Sequence, residues 1–98
     1  MAQSDADVII EQNVKEPRLY RVLMHNDDIT TMDFVIAILC QVFNKDSDEA
    51  TEIMWKIHNT GIGLCGVYPR EIAETRIGRV RKAASRAGFP LKCTMEEE

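Results

Sequence analysis

Residues 19–43 read LYRVLMHNDDITTMDFVIAILCQVF, and this stretch decides the fold. In its first part, Tyr20, Val22 and Met24 fall on one side of an alternating pattern, which predicts a β-strand with one buried face. The second part predicts an amphipathic helix, because its apolar residues follow the helical spacing. These apolar residues are Val35, Ile38, Leu39, Val42 and Phe43. A polar loop, Asn-Asp-Asp, separates the strand from the helix.

Capping residues predict where the first two helices begin and end. Thr30 and Asp33 form a capping-box pattern, which predicts that the first helix starts after Thr30. Asp46 or Ser47 is expected to cap the second helix. Gly61 is expected to end that helix in the left-handed conformation.

Three further elements complete the predicted fold. Residues 62–68 are apolar and predict a strand, Pro69 opens a third helix that Gly88 ends, and residues 91–95 alternate as a last strand. The buried stripe of the third helix is expected to be Ala73, Ile77, Val80, Ala84 and Ala87. The order β-α-α-β-α-β predicts an α+β fold, a small sandwich of three mainly antiparallel strands with three helices.

The composition predicts one globular domain with a short extension. The chain has 98 residues, of which 45% are hydrophobic, and a net charge of −4. Four acidic residues stand against Lys15 alone within residues 1–17. We expect residues 1–17 to be a flexible N-terminal extension and residues 18–98 to be the folded core. The acidic end, residues 96–98, is expected to fray.

Several classes of protein are disfavoured by these features. A net acidic chain is a poor candidate for binding nucleic acid. The longest uncharged apolar run, residues 34–43 apart from Gln41, is far shorter than the roughly 20 residues that a membrane helix needs. No signal-peptide pattern is visible, so we expect a cytoplasmic protein. We also expect a monomer without nucleic-acid or membrane partners.

The cysteines argue against a disulfide framework or a zinc site. Cys40, Cys65 and Cys93 are widely spaced without a CxxC motif, and we expect all three to be buried thiols. Cys65 could join His58 and the Asp pair in a nucleophilic site, but nothing in its apolar strand lowers the thiol pKa.

Metal and nucleotide sites are also unsupported. The two histidines lie on separate elements without metal-ligand spacing, and neither nucleotide-binding glycine motif is present. We therefore expect no enzyme, no metal and no cofactor. A metal- or thiol-dependent enzyme stays an alternative, which tight zinc uptake or a fast-reacting Cys65 would support.

The loop after the first strand is the best candidate site. Asn26 and two carboxylates offer acceptors there, and apolar residues of both helices, with His58, are expected near the same ends. An apolar hole with acceptors at its rim suits the free α-amino group of a peptide that has a large hydrophobic first side chain. The alternative is that Met54 and Ile57 are simply core residues.

The sequence resembles the ClpS adaptor family, bacterial proteins that deliver N-degron substrates to the Clp AAA+ protease. The resemblance covers about residues 19–97. It is carried by these strings: residues 20–28, Thr30 with 32–35, residues 54–58, Gly61, residues 65–68, residues 71–76 and residues 90–96.

This resemblance implies binding of N-terminal Leu, Phe, Tyr or Trp. The α-amino group would be held by Asn26, Asp27 and His58, while Asp28 would support the loop. His58 must be neutral to accept a hydrogen bond, so binding should weaken below about pH 6.5. Six residues would form the hydrophobic pocket: Thr30, Met32, Val35, Met54, Ile57 and Leu91.

The resemblance also implies how the adaptor meets its protease. Glu71 and Arg76 would dock on the N-terminal domain of the unfoldase, and the extension would engage the unfoldase during hand-off.

Two residues depart from the family pattern. Thr31 stands where the family often has Pro, and Ile57 stands where Val is common. The extra methylene of Ile57 could narrow which of the four N-terminal side chains the pocket prefers.

One alternative function stays open at this point. Small α/β domains are widely reused as scaffolds or ribosome-type interaction domains. Such a domain would bind without any preference for the N-terminal residue of its ligand.

Overall fold

The structure describes residues 17–98. Within them, three strands form an antiparallel sheet. The structure is a computed structural model. The strands are β1 (Leu19–His25), β2 (Ile62–Pro69) and β3 (Lys92–Glu97). Their order in space is β2-β1-β3, and β1 pairs antiparallel with both neighbours. The first strand of the sequence is therefore the central strand of the sheet.

Three helices in the described residues share a core with one face of this sheet. They are α1 (Met32–Phe43), α2 (Ser47–Thr60) and α3 (Arg70–Ala87). Val22 and Met24 of β1 are fully buried against them. The predicted order β-α-α-β-α-β and the α+β class are confirmed. The alternation of β1 decides the layering, because its apolar side faces the helices.

The helix ends agree with the sequence except at the start of α1. Asp46 caps α2 in a reciprocal capping box with Glu49, and Gly61 ends that helix with a φ of 92°. Gly88 ends α3 with a φ of 78°. Both glycines adopt the left-handed conformation that side chains disfavour, as predicted.

The predicted cap of α1 is wrong by one residue. Thr31 is the N-cap, and its hydroxyl accepts a hydrogen bond from the backbone N–H of Phe34 at 3.2 Å. The hydroxyl of Thr30 instead donates to Asp27 at 2.8 Å. Two adjacent threonines compete for the cap, and the carboxylate of Asp27 recruits the first of them into the loop.

The acidic end of the chain is ordered into β3 rather than frayed. Glu96 pairs with Arg21 at 2.8 Å, and Glu97 pairs with Arg18 at 3.2 Å. The prediction of a frayed tip is wrong for these two residues, because both pair with the backbone of β1. Glu96 lies directly opposite Arg21, while Glu97 lies opposite Tyr20 and reaches Arg18 just before the strand.

Two smaller burial predictions also need correction. Ala87 is exposed, because it is the last residue of α3 and lies beyond the core. Cys65 and Cys93 are buried as expected, whereas Cys40 is only half-buried. All three are free thiols.

The division into an extension and a core is only partly covered by the described residues. Residues 1–16 of the predicted extension lie outside them. Among the helices of the described part, none combines the length and the apolar character needed to cross a membrane.

Candidate functional site

A cavity of about 380 Å³ opens where the loop after β1 meets the ends of two helices. Residues 26–32 and Val35 line it from the loop and the start of α1. Met54, Ile57 and His58 line it from the last turns of α2. The loop after β1 and the start of α1 therefore form one side of the cavity, and the end of α2 forms the other.

Asp27 holds the loop in shape. One of its carboxylate oxygens, Oδ1, accepts from the backbone N–H groups of Ile29 and Thr30 at 2.8 and 2.6 Å. The other, Oδ2, accepts from the Thr30 hydroxyl at 2.8 Å. A carboxylate side chain whose oxygen accepts from the backbone two residues later is a common way to fix a turn.

These hydrogen bonds also set the charge of Asp27. Partial burial raises the pKa of the carboxyl, but the hydrogen bonds from Thr30 and Ile29 outweigh that effect, and the pKa falls below its usual value. Asp27 therefore carries its negative charge across the whole neutral range. Its oxygens offer about four acceptor positions and three are in use, so Oδ2 keeps room for one more donor.

A backbone hydrogen bond joins the loop to α2. The N–H of Asn26 donates to the carbonyl oxygen of Gly61 at 2.9 Å, and the N–H of Gly61 donates to Ile57 at the same distance. Gly61 follows His58 by three residues, so this connection brings the amide of Asn26 and the imidazole of His58 to the same mouth.

The depth of the cavity is apolar and its mouth is only partly so. Val35, Met54 and Ile57 are buried members of the main core. Ile29 and Met32 stand at the mouth with 65% and 39% of their surface exposed. A ligand with a hydrophobic side chain and a polar group beside it would match this arrangement.

His58 is exposed and rests against an aromatic neighbour. The ring centroids of Trp55 and His58 lie 5.8 Å apart at an angle of 80°. Edge-to-face packing of this kind is favourable and restricts the rotation of the imidazole. Trp55 itself is 47% exposed, and it is a residue that the sequence reasoning did not single out.

The structure brings together most of the predicted site residues. Asn26, Asp27 and His58 all border the cavity, as do five of the six predicted pocket residues, namely Thr30, Met32, Val35, Met54 and Ile57. Leu91 is buried in the core and is not among the residues that line this cavity. Its position just before β3 places it within the core cluster instead.

Three residues of the loop differ from the expectation. Asp28 borders the cavity, but the hydrogen bonds that shape the loop come from Asp27 rather than from Asp28. Ile29 and Thr31 also line the cavity and were not predicted to. Their position within the same loop was the signal that could have identified them.

The two predicted docking residues lie on α3, outside the cavity wall. Glu71 is exposed in the first turn of α3. Arg76 is half-buried, donates to the carbonyl oxygen of Val42 at the end of α1, and lies 4.8 Å above the ring of Tyr68. Arg76 therefore connects α3 to α1 and β2, which leaves less of its guanidinium available to a partner.

Cys65, the candidate nucleophile of the enzyme alternative, is not activated by its surroundings. A hydrogen bond with Cys93 and burial both raise the pKa of the Cys65 thiol, so the nucleophilic thiolate is suppressed. Within residues 17–98 no group of three or more metal-ligating side chains comes together.

Comparison with known proteins agrees with the geometry. Residues 15–94 match the family described as "ATP-dependent Clp protease adaptor protein ClpS". The chain belongs to the ClpS family. A ClpS adapter protein of Oleidesulfovibrio alaskensis is 53% identical over 97% of this chain and 91% of its own length. A ClpS adapter protein of Nitratidesulfovibrio vulgaris is 54% identical over 95% of this chain and 93% of its own.

A solved ClpS structure has the same fold. ClpS2 of Agrobacterium tumefaciens, bound to L-phenylalaninamide, superposes with a TM-score of 0.82 at 37% identity. The match covers 85% of this chain and all of ClpS2. Membership of the ClpS family makes the chain an adaptor of the ATP-dependent Clp protease and not an enzyme itself, as the sequence predicted.

Proposed function

We propose that the chain binds proteins through a free N-terminal Leu, Phe, Tyr or Trp and delivers them to the Clp AAA+ protease. The observation that carries this proposal is the cavity between α1 and α2, with hydrogen-bond acceptors at its mouth and apolar walls below. An N-terminal residue is an ammonium group joined directly to a hydrophobic side chain. Few other parts of a protein combine these two chemistries in so small a volume.

The acceptors at the mouth would bind the ammonium group. Asn26 offers its side-chain carbonyl, the neutral imidazole of His58 offers a ring nitrogen, and Asp27 offers the remaining position on Oδ2. Asp28, beside them, adds a second negative charge that favours a cation. L-Phenylalaninamide, the ligand of the related ClpS2, has a free α-amino group next to an aromatic side chain, which supports this orientation.

The side chain of the N-terminal residue would enter the apolar depth. Met32, at the mouth, would contact its β-carbon, and Met54 and Ile57 would surround the rest. Burial of a Leu or Phe side chain contributes about 1.5–3 kcal/mol. Each hydrogen bond to a charged ammonium contributes about 1.5–3 kcal/mol more. After the costs of association, a net free energy of about −6 to −8 kcal/mol corresponds to micromolar binding.

Delivery would use two other parts of the chain. The exposed Glu71, together with Arg76, would dock on the N-terminal domain of the unfoldase, and residues 1–17 would engage it during hand-off. Residues 18–98 would act as the folded core and as a monomer. The compartment would be the bacterial cytoplasm, where the three thiols of the described part stay reduced.

Fluorescence anisotropy with labelled decapeptides tests the proposal directly. A peptide that begins with Leu or Phe should bind with micromolar affinity. The same peptide with an acetylated amine should not bind, because the charge is lost and the acceptors are left unpaired. A peptide that begins with Ala should also fail, because it leaves the apolar depth unfilled.

Two outcomes would contradict the proposal. Equal binding of all these peptides would favour a scaffold that ignores the N-terminal residue. No binding of any of them would show that the cavity does not receive N-terminal residues.

A further inference from the structure

Gly63 lies directly behind the wall of the cavity. It is buried in β2, on the side of the strand that faces α2. A methyl group at this position would lie 2.5 Å from Cγ1 of Ile57 and 3.3 Å from its Cδ1. Non-bonded carbon atoms pack at about 3.5–4.0 Å, so the missing side chain of Gly63 provides the space that Ile57 occupies.

Ile57 separates Gly63 from the cavity. It is only 2% exposed, yet it lines the cavity on its other side. Cγ2 of Ile53 would lie 3.5 Å from the same methyl group, so the space beside Ile57 is already filled there. If a larger residue stood at position 63, the open direction for Ile57 would be toward the cavity.

We infer that Gly63 sets the depth of the cavity through Ile57 and thereby determines which N-terminal side chains fit. Gly63 is a positioning residue, because it does not line the cavity itself, and the inference rests on the proposed function. Cδ1 is the atom that Ile has and Val lacks, and it packs toward Gly63. The methylene that Ile57 has in excess of Val therefore lies against Gly63 of β2 and does not reduce the depth of the cavity.

Substitution of Gly63 by Ala tests this inference. The added methyl group should push Ile57 into the cavity, and the largest side chains should suffer most. We expect the affinity for a Trp-initiated peptide to fall about tenfold more than the affinity for a Leu-initiated peptide. Both affinities are measured by fluorescence anisotropy, with the fold checked by thermal unfolding.

The chain offers a matched control for this substitution. A methyl group on Gly78, in α3, would have no other group within 4 Å. The Gly78→Ala variant should therefore keep both affinities and their ratio within about twofold of the parent protein. This control separates the effect of the methyl group at position 63 from any general effect of replacing a glycine.

Rescue by a second substitution distinguishes positioning from folding. In the double variant Gly63→Ala, Ile57→Val, the side chain at position 57 keeps its γ-carbons but loses Cδ1. The shorter side chain can move away from the new methyl group while filling less of the cavity. The ratio of Trp to Leu affinity should return to within about twofold of the parent value. Ile57→Val alone should lower the affinities for the Trp and Leu peptides by similar factors, because Cδ1, the atom it removes, packs on β2.

Several results would overturn the inference. Equal losses for the Leu, Phe and Trp peptides in Gly63→Ala, or no rescue in the double variant, would show that Gly63 does not control depth. If Gly63→Ala does not fold, the Ile57→Val variant still tests the inference. A selective gain in affinity for the Trp peptide would show that Cδ1 lies in the cavity and would contradict the inference. The results above would leave the proposed function intact. Failure of the parent protein to bind any peptide would instead contradict the proposed function itself.

Discussion

Asp27 shows how one side chain can serve both the shape and the charge of a site. Its three hydrogen bonds fix the loop, and the same bonds keep it ionised. The neighbouring Asp28 is exposed and contributes charge alone. Two adjacent aspartates that look alike in the sequence therefore have different consequences when they are replaced.

Replacement of Asp27 by Ala should destabilise the fold, whereas replacement of Asp28 should not. Loss of Asp27 leaves two backbone N–H groups without their acceptor, and we expect a cost of about 1–2 kcal/mol in the free energy of unfolding. Asp28→Ala is the matched control, with an expected change below about 0.5 kcal/mol. Urea denaturation measures both variants. Equal stabilities would contradict the assigned role of Asp27.

The lowered pKa of Asp27 separates its effect on stability from the expected effect of pH on peptide binding. Because the pKa of Asp27 is lowered in the folded state, its contribution to stability is present above about pH 4 and is lost as the pH falls through the lower value. Asp27 therefore stays charged between pH 8 and 5.5. Histidine is the side chain whose charge ordinarily changes in that interval, so replacing His58 tests whether a loss of affinity there depends on it.

A pH series of peptide binding checks this assignment. The parent protein should bind a Leu-initiated peptide several-fold more weakly at pH 5.5 than at pH 8. In the His58→Gln variant the affinity should be lower throughout and should not fall as the pH drops from 7 to 5.5. Between pH 8 and 7 both proteins should gain up to about twofold, because the α-amino group of the peptide becomes fully protonated there. A variant that keeps the full pH dependence would assign the effect to another group.

At the scale of an element, the start of α1 depends on which threonine caps it. Thr31 supplies the cap and Thr30 belongs to the loop, although both have the same side chain. The cavity lies beside this helix start, so the cap and the loop hydrogen bonds together fix where Met32 and Val35 stand.

We expect Thr31→Ala to lower the free energy of unfolding by about 1 kcal/mol, because an N-cap hydrogen bond is lost. Thr75→Ala is the matched control. Its hydroxyl donates only to the carbonyl of Glu71 within α3, and Ala has the higher helix propensity. Chemical denaturation should show little change or a small gain for this control. A similar loss in both variants would contradict the cap assignment.

At the scale of the whole molecule, Arg76 connects three elements. It extends from α3, donates to Val42 at the end of α1, and stacks on Tyr68 of β2. The last turn of α1 contains no basic residue of its own, so this guanidinium supplies the positive charge that stabilises a helix C-terminus. Arg76 thus contributes to the fold besides its proposed part in docking.

Arg76→Ala should therefore cost about 2 kcal/mol of stability, by loss of the hydrogen bond and of packing on Tyr68. Arg79→Ala is the control, because Arg79 makes a similar but exposed bond to Gln41 at 3.2 Å, and it should cost below about 0.5 kcal/mol. Thermal and urea unfolding measure both. If Arg76→Ala unfolds like the parent protein, docking alone would account for the residue.

The order of elements was readable from the sequence because local rules decide it. Alternation marks β1, helical spacing marks α1, and Gly61 and Gly88 end helices where only a glycine adopts the required φ at no cost. The resemblance to ClpS proteins, carried by several motifs in order, identified the family and most residues of the cavity.

The tertiary structure decided what depends on neighbours distant in the chain. The sequence could not show that Glu96 and Glu97 would pair with Arg21 and Arg18, because the register between β1 and β3 sets those contacts. Nor could it choose Thr31 over Thr30, since both satisfy the same local rule and only the position of the Asp27 carboxylate separates them. Local periodicity determined the elements of this protein, and packing between elements determined what each side chain in them contacts.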